Sequence, residues 1–316
     1  MKLYPLLLEP VVKSPIWGGT RLSASWGVPA LSPTIGEAWV LSVRKEEQNH
    51  IANGAWSGEK IGEVIERYGA DKSNFPLLVK LLDAKDDLSV QVHPDDDYAA
   101  RVENDRGKTE MWHILEAGPD SELIMGLREG VSSADFARLV REGKTEEALN
   151  HIRVRAGETY FIPAGMPHAI GKGILLAEIQ QNCDLTYRIW DYNRLGKDGK
   201  PRELHVEKAL DVVRPFTAEE VDRLRYQSDP DADRSVVLAA CPQFRVERLR
   251  VLGEMRFSAA PGTRHLLCVG GEGEVLCNGI SYPIRRGNSY LLPPKAEISA
   301  NGKMTLLISR YCHADN

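Results

Sequence analysis

The stretch Gly157-Glu158-Thr159-Tyr160-Phe161-Ile162-Pro163-Ala164-Gly165-Met166-Pro167-His168 decides how this chain folds. Glycine, proline six residues on, glycine two further and histidine three after that form a pattern with four fixed positions. Thr159 to Ile162 reads as a strand, and the prolines and glycine behind it break the chain before His168. Upstream stand Gln91, His93 and Glu110, and these three with His168 look like one divalent metal site. Two imidazoles, a carboxylate and an amide oxygen can hold zinc and leave a position open for water or substrate.

Strand parity supports that grouping. In Leu88-Ser89-Val90-Gln91-Val92-His93, the apolar residues 88, 90 and 92 fall on one face and Ser89, Gln91 and His93 on the other. A polar face of this kind is ordinarily solvent-exposed in an antiparallel sheet. His168, an independent ligand of the right type, reverses that reading. Lys108 to Leu115 reads as a further strand, so Glu110 shares its face with Trp112 and not with His113. A helical Glu-x-x-His pair is therefore not expected, and His113 is left as a supporting or outward residue. His50, His151, His205, His265 and His313 lack a partner at ligand spacing.

Composition bounds the rest. Apolar residues make up 42% of the 316-residue chain and charged residues 27%, ordinary for a protein with a real core. A net charge of −5 gives no reason to expect a nucleic-acid partner. Cys183, Cys241, Cys268, Cys277 and Cys312 are scattered without a Cys-x-x-Cys pair, which points to reduced thiols. No apolar run approaches the ~18 residues of a membrane span. Pro5, Glu9 and Pro10 interrupt the only apolar patch near the start, so no signal peptide is expected. The expected location is cytoplasmic, without membrane association.

Helices interrupt the strands. Ile61, Val64, Ile65 and Tyr68 have helical spacing and stop at Gly69. Ser132 or Ser133 caps a helix carrying Phe136, Leu139 and Val140, which Gly143 ends. Further helices are expected over Thr145 to His151, Leu204 to Val213 and Thr217 to Tyr226, the last with Thr217 and Glu220 as a capping box. The polar stretch from Ser228 to Arg234 reads as a linker. Strands then resume at Phe244 to Leu252, His265 to Val269, Gly273 to Cys277, Ile280 to Ile284 and Thr305 to Ser309. The tail repeats a glycine and a proline six apart (Gly287, Pro293), but Lys295 and Ile298 replace the later glycine and histidine.

The glycine–proline–glycine–histidine pattern resembles the second motif of the cupins, small β-barrels whose histidine points inward and binds metal. Ile16-Trp-Gly-Gly19, Gly36-Glu-Ala-Trp39, Leu88 to Asp95, Gly107-Lys-Thr-Glu-Met-Trp112 and Asp184-Leu-Thr-Tyr-Arg-Ile-Trp-Asp191 go further: they resemble the short bacterial form of type I mannose-6-phosphate isomerases. The resemblance runs from about Leu3 to the chain end and is strongest between Phe75 and Arg194. It implies a mainly β fold of two cupin-type jelly-roll barrels with a few short helices. Residues 1–234 would form the catalytic metal-binding barrel with helical insertions, and 235–316 a second, degenerate barrel without metal.

The resemblance also implies one zinc ion per chain, with ligands falling on Gln91, His93, Glu110 and His168. The reaction it implies converts mannose 6-phosphate and fructose 6-phosphate into one another. The family's active-site arginine falls on Arg188, its nearby acid on Asp184, a lysine on Lys108 and a substrate-side serine on Ser89. Arg188 can stabilise an enediolate-like charge or bind the phosphate with its planar fork, and Lys108 is the other group for that charge. Asp184 either moves a proton or orients Arg188; a surface ion pair of Arg188 with Asp184 or Asp191 is the plainer alternative. The expected assembly is a monomer or weak homo-oligomer that takes a small sugar phosphate. Two other readings use the same elements: an Fe(II) cupin dioxygenase, which would need an apolar pocket, and a non-catalytic sugar-binding cupin.

Overall fold

The structure, a computed structural model, describes residues 2–45, 47–72, 75–227, 234–257 and 259–311. Three large antiparallel sheets and a covering of helices stack as layers. The central, seven-stranded sheet runs Arg225–Tyr226, Thr159–Ile162, Glu110–Glu116, Leu175–Gln181, Leu77–Asp83, Glu37–Leu41 and Val11–Lys13. A five-stranded sheet faces it: Leu149–Arg153, Glu122–Leu127, His168–Ile170, Val90–Val92 and Tyr187–Trp190. Trp112, Ile114 and Leu176 from the first meet Leu123, Met125 and Ile170 from the second in one buried cluster. This is the interior into which His93, Glu110 and His168 project.

The outer face of the five-stranded sheet is not wet. Val90, Val92, Ile124 and Leu127 pack under the helices Ser133–Arg141 and Val206–Val212, through Phe136, Leu139, Val140 and Ala209. That inverts the usual arrangement for a half-polar strand: the apolar side faces helices, and the polar side, with Gln91, faces the sandwich interior. The outer face of the seven-stranded sheet is covered by the tail. Val79, Leu81, Met111, Ala177 and Ile179 share a cluster with Phe244, Val246, Leu267, Leu291 and Leu307.

The tail sheet contains three 14-residue strands, Phe244–Phe257, Arg264–Cys277 and Ile298–Tyr311. His265 to Val269 and Gly273 to Cys277, expected as two strands, are one. A register shift between Cys268 and Gly270 lies in its middle, and such bulges let a long strand bend without ending. The tail also recruits Leu6–Leu7, which pairs with Leu291 and Tyr290. The turn Gly287–Pro293 repeats Gly157–Pro163 in backbone: Gly157 and Gly287 have φ of 89° and 87°, and Gly165 and Lys295 have 87° and 56°.

Helix expectations are mostly met, with corrections at the ends. Ser132 accepts from Asp135 N and Thr217 from Glu220 N in two capping boxes. Thr145–Ala148 is a single 3-10 turn, and Leu149–Arg153 behind it is a strand pairing with Glu122–Leu127. Helical spacing there was outweighed by an open sheet edge. Thr217 to Tyr226 likewise ends early, with Arg225–Tyr226 joining the seven-stranded sheet. The short helix Asp96–Val102, capped by Asp95, was not anticipated. The expected linker at 228–234 lies, apart from Arg234, outside the described residues, as do Cys312 and His313. Cys183, Cys268 and Cys277 are free thiols. Among the described residues no helix is long and apolar enough to cross a membrane.

Two features of the layering are testable. A Cβ at Gly287 would sit 1.9 Å from the Trp26 carbonyl oxygen, on a backbone with φ of +87°. Gly287→Ala is expected to lower stability by more than about 2 kcal/mol, read from urea denaturation midpoints. His113, on the face turned to the tail, is buried and bonded to Thr159 Oγ1 at 2.9 Å. Burial, aided by Arg248, lowers its pKa from 6.5 to about 4. Below pH 6.5 the unfolded chain therefore binds a proton that the folded chain refuses until about pH 4. Stability falls through that window by up to ~1.4 kcal/mol per pH unit from this residue. His113→Gln should flatten the slope of stability against pH by up to one proton; an unchanged slope would refute the assignment.

Candidate active site and metal centre

His93 follows strand Val90–Val92, Glu110 opens Glu110–Glu116 and His168 opens His168–Ile170, so three strand ends from the two facing sheets meet. Their side chains are 0–1% exposed. His93 Nε2 lies 3.2 Å from His168 Nε2. Glu110 Oε2 is 3.7 Å from His93 Nε2, and Oε1 is 3.4 Å from His168 Nε2. The Gln91 amide, registered opposite His168, reaches to 3.4 Å from His168 Nε2.

The backbone sets both tautomers. His93 Nδ1 donates to the Leu185 carbonyl at 2.8 Å, and His168 Nδ1 donates to the Met166 carbonyl at 2.8 Å. A carbonyl only accepts, so each Nδ1 carries its hydrogen and each Nε2 of a neutral ring presents a bare lone pair. Burial, with help from the Lys108 charge, keeps both rings neutral: His93 is lowered well below its usual value, and His168 goes to about 4. Two lone pairs thus converge on one point beside a carboxylate whose oxygens accept no well-formed hydrogen bond. Burial pushes Glu110 up to about 7, opposed by Lys108, whose ammonium stands 3.1 Å from both Glu110 Oε2 and His93 Nε2. Burying a carboxylate costs several kcal/mol, which Lys108 alone offsets only in part, since burial still raises the Glu110 pKa. The donor set calls for a cation, and His93, Glu110 and His168 fit a divalent metal.

Adjoining this cluster through Lys108 and Gln91 lies a cavity of about 160 Å³, lined by the cationic Lys13, Lys80, Lys108, Arg188 and Arg202 and the acidic Glu37, Glu178 and Asp184. Ser89, Gln91, Trp17 and Trp39 complete its polar and aromatic walls. The structure therefore brings all of Ser89, Gln91, Lys108, Asp184 and Arg188 to one cavity. Arg188, registered opposite Gln91, donates through Nε to Ser89 Oγ at 3.3 Å and through NH1 to the Glu203 carbonyl at 2.8 Å. Burial and the neighbouring Arg202 depress its pKa. Neither acid pairs with it: Asp191 binds Arg194 and Arg202, and Asp184 stands 3.8 Å from Lys80. The alternative of an ion pair between Arg188 and Asp184 or Asp191 is not what the fold forms: the partners of Arg188 are neutral, which leaves its charge for a ligand.

Sequence reading missed Lys80 and Glu178. Lys80 is 3.3 Å from Glu178, and Glu178 accepts from Trp112 Nε1 at 3.1 Å, all inside the sandwich. The signal for Lys80 was available: one lysine inside Leu77-Leu78-Val79-Lys80-Leu81-Leu82, since a charge is seldom buried unless paired. Arg202 and Lys13 gave no such signal, because they sit in segments that read as surface.

Fold and cluster define a cupin-type β enzyme, and comparison with known proteins narrows the class. Residues 6–127 match the family model for the phosphomannose isomerase type I catalytic domain. Mannose-6-phosphate isomerase ManA of Bacillus subtilis is 35% identical over 299 residues, covering 93% of this chain and 94% of that one. A mannose-6-phosphate isomerase of Streptococcus mutans is 34% identical over 294 residues, 92% of each chain. The crystal structure of the Bacillus subtilis mannose 6-phosphate isomerase superposes with a TM-score of 0.84 at 32% identity, covering 98% of this chain and 100% of that one. The chain belongs to the type I mannose-6-phosphate isomerase family and is an isomerase.

His168→Ala removes one of the two convergent lone pairs. It is expected to lose stoichiometric divalent metal in elemental analysis and to lose activity, with its circular dichroism unchanged. Normal metal content in that variant would refute the cluster as the binding site.

Proposed function

We propose that this protein interconverts mannose 6-phosphate and fructose 6-phosphate with one zinc ion per chain, held by His93, Glu110, His168 and the Gln91 amide oxygen. The observation that carries the reading is a cation-rich cavity that adjoins a buried histidine–carboxylate cluster through Gln91 and Lys108. An aldose–ketose isomerisation moves a hydrogen between C1 and C2 while negative charge develops on the neighbouring oxygen. When bound, zinc supplies a Lewis acid for that charge.

The chain's own groups do the rest. Lys108, whose ammonium burial disfavours but Glu110 and Glu178 hold protonated, stands ready to neutralise developing charge. Arg188 adds a second fixed cation whose hydrogens need no reorganisation. Arg202 lines the same cavity and bears on Arg188 by charge repulsion; two guanidiniums facing one space favour a doubly charged phosphate between them. Ser89 Oγ, 3.3 Å from Arg188, adds a hydroxyl to that end. Asp184, at the cavity wall beside Lys80 and free of Arg188, is the group to which we assign taking and returning the proton. Glu110, held in the cluster, is a poor base.

An apolar pocket would favour the dioxygenase reading, and the five cations weigh against it. Residues 1–234 as the metal-bearing unit and 235–316 as a metal-free unit are part of the proposal, supported by Lys295 and Ile298 at the turn that repeats the Gly157–His168 pattern. So are a cytoplasmic location and a monomeric or weakly associated state.

A coupled assay for fructose 6-phosphate, with and without chelator, tests the reading. Activity should vanish on chelation and return with zinc; a folded, zinc-loaded sample without turnover would sink it. Arg188→Ala should keep its metal and lose about 100-fold or more in turnover, and full activity there would reduce Arg188 to a structural role.

A further inference from the structure

Strand Glu37–Leu41 carries an irregularity. Trp39 pairs with Lys80 and Leu41 with Val79, which leaves Val40 as an extra residue in the ladder. A bulge of this kind turns two consecutive side chains to one side. Glu37 and Trp39 line the cavity, and Val40 and Leu41 both enter the cluster shared with the tail. The bulge therefore sets where the Trp39 indole sits. That ring has Lys13 Nζ 3.8 Å and Lys80 Nζ 4.9 Å from its centroid, and its Nε1 donates to Glu37 Oε2 at 2.7 Å.

Two carbonyls freed at the bulge are held from outside the sheet. Trp39 O accepts from Asn49 Nδ2 at 2.7 Å. Val40 O accepts from Ser289 Oγ, in the tail strand Ser289–Leu292, also at 2.7 Å. The one hydroxyl hydrogen of Ser289 is thereby used, so the 2.7 Å contact between Ser289 Oγ and His265 Nε2 is donated by the histidine. Ser289 and His265 are each 1% exposed. A directed relay, His265 to Ser289 to Val40, thus runs from the tail sheet into the strand that carries a cavity wall.

We infer that Ser289 and His265 are positioning residues for the active site: they fix the bulge at Val40, and through it hold Trp39 and its two flanking lysines in place for the substrate. The tail, which among the described residues gives the cluster no ligand, contributes to sugar-phosphate binding through this relay. The kinetic part rests on the cavity being the substrate site, whereas the placement of Trp39 does not.

The experiment is a cycle of Ser289→Ala, Trp39→Phe and the double variant, each assayed on mannose 6-phosphate with metal content measured. Ser289→Ala should raise KM roughly fivefold with kcat per bound metal unchanged, as expected when a buried acceptor loses its donor and a binding wall shifts. Ser289→Thr should restore KM, and Ser289→Ala should add little once Trp39 is phenylalanine. Fluorescence of Trp39, taken as each background minus its Trp39→Phe counterpart, should shift in the Ser289→Ala background. Full additivity in the cycle, a fall in kcat at constant KM, or an unmoved Trp39 signal would overturn the inference. If wild type shows no turnover, the proposed function fails and the fluorescence arm still decides the relay. Should Ser289→Ala fail to fold, His265→Leu takes its place, with His265→Gln restoring the donor.

Discussion

A carboxylate and two imidazole lone pairs share one dry point between two sheets, and much of the architecture follows from keeping them there. Carbonyls at Leu185 and Met166 hold the two Nδ1 hydrogens, so both Nε2 atoms have nowhere to turn but toward each other and Glu110. Such a cluster is expensive in an apolar medium without a cation. The surrounding interior is accordingly an ionic lattice as much as a hydrophobic core: Lys108 on Glu110, Lys80 on Glu178, and Trp112 Nε1 on Glu178. Lys108 and Lys80 are thus already neutralised in part within the fold.

Placing polar side chains inward obliges the sheets to be covered on their outer faces. Helices cover the five-stranded sheet over Val90 and Val92, and the tail covers the seven-stranded sheet over Val79, Leu81 and Ile179. With both outer faces sealed, the sandwich has no wet side to which Gln91, His93 or Glu110 could escape. The layers that hold no part of the cluster therefore still dictate its direction. The bulge at Val40 extends this logic, since the tail's grip on one carbonyl bears on a tryptophan across the strand.

Arg188 shows how charge is kept available. Its partners are a hydroxyl and a carbonyl, while the acids near it in sequence are occupied by Lys80, Arg194 and Arg202. A guanidinium satisfied by neutral groups retains its full attraction for an anion, and one paired with a carboxylate does not.

Local chemistry was enough to expose much of this in the sequence. The period of two over Leu88–His93 and Lys108–Leu115 separated Glu110 from His113, and the glycine–proline spacing before His168 marked a turn whose left-handed residues are found at Gly157 and Gly165. The capping box at Thr217 fixed one helix start, because a cap is satisfied within three residues. For the same reason Ser132 or Ser133 narrowed another to two positions, of which the structure uses Ser132. Tertiary structure alone decided the remainder. Leu149–Arg153 became a strand because an edge was open beside it, Lys80 was buried because Glu178 met it from another strand, and Arg202 reached the cavity from a segment that reads as surface. Which face of a strand is inside, and which charge meets which, depend on partners distant in the chain; residue spacing records only the neighbours a residue has along it.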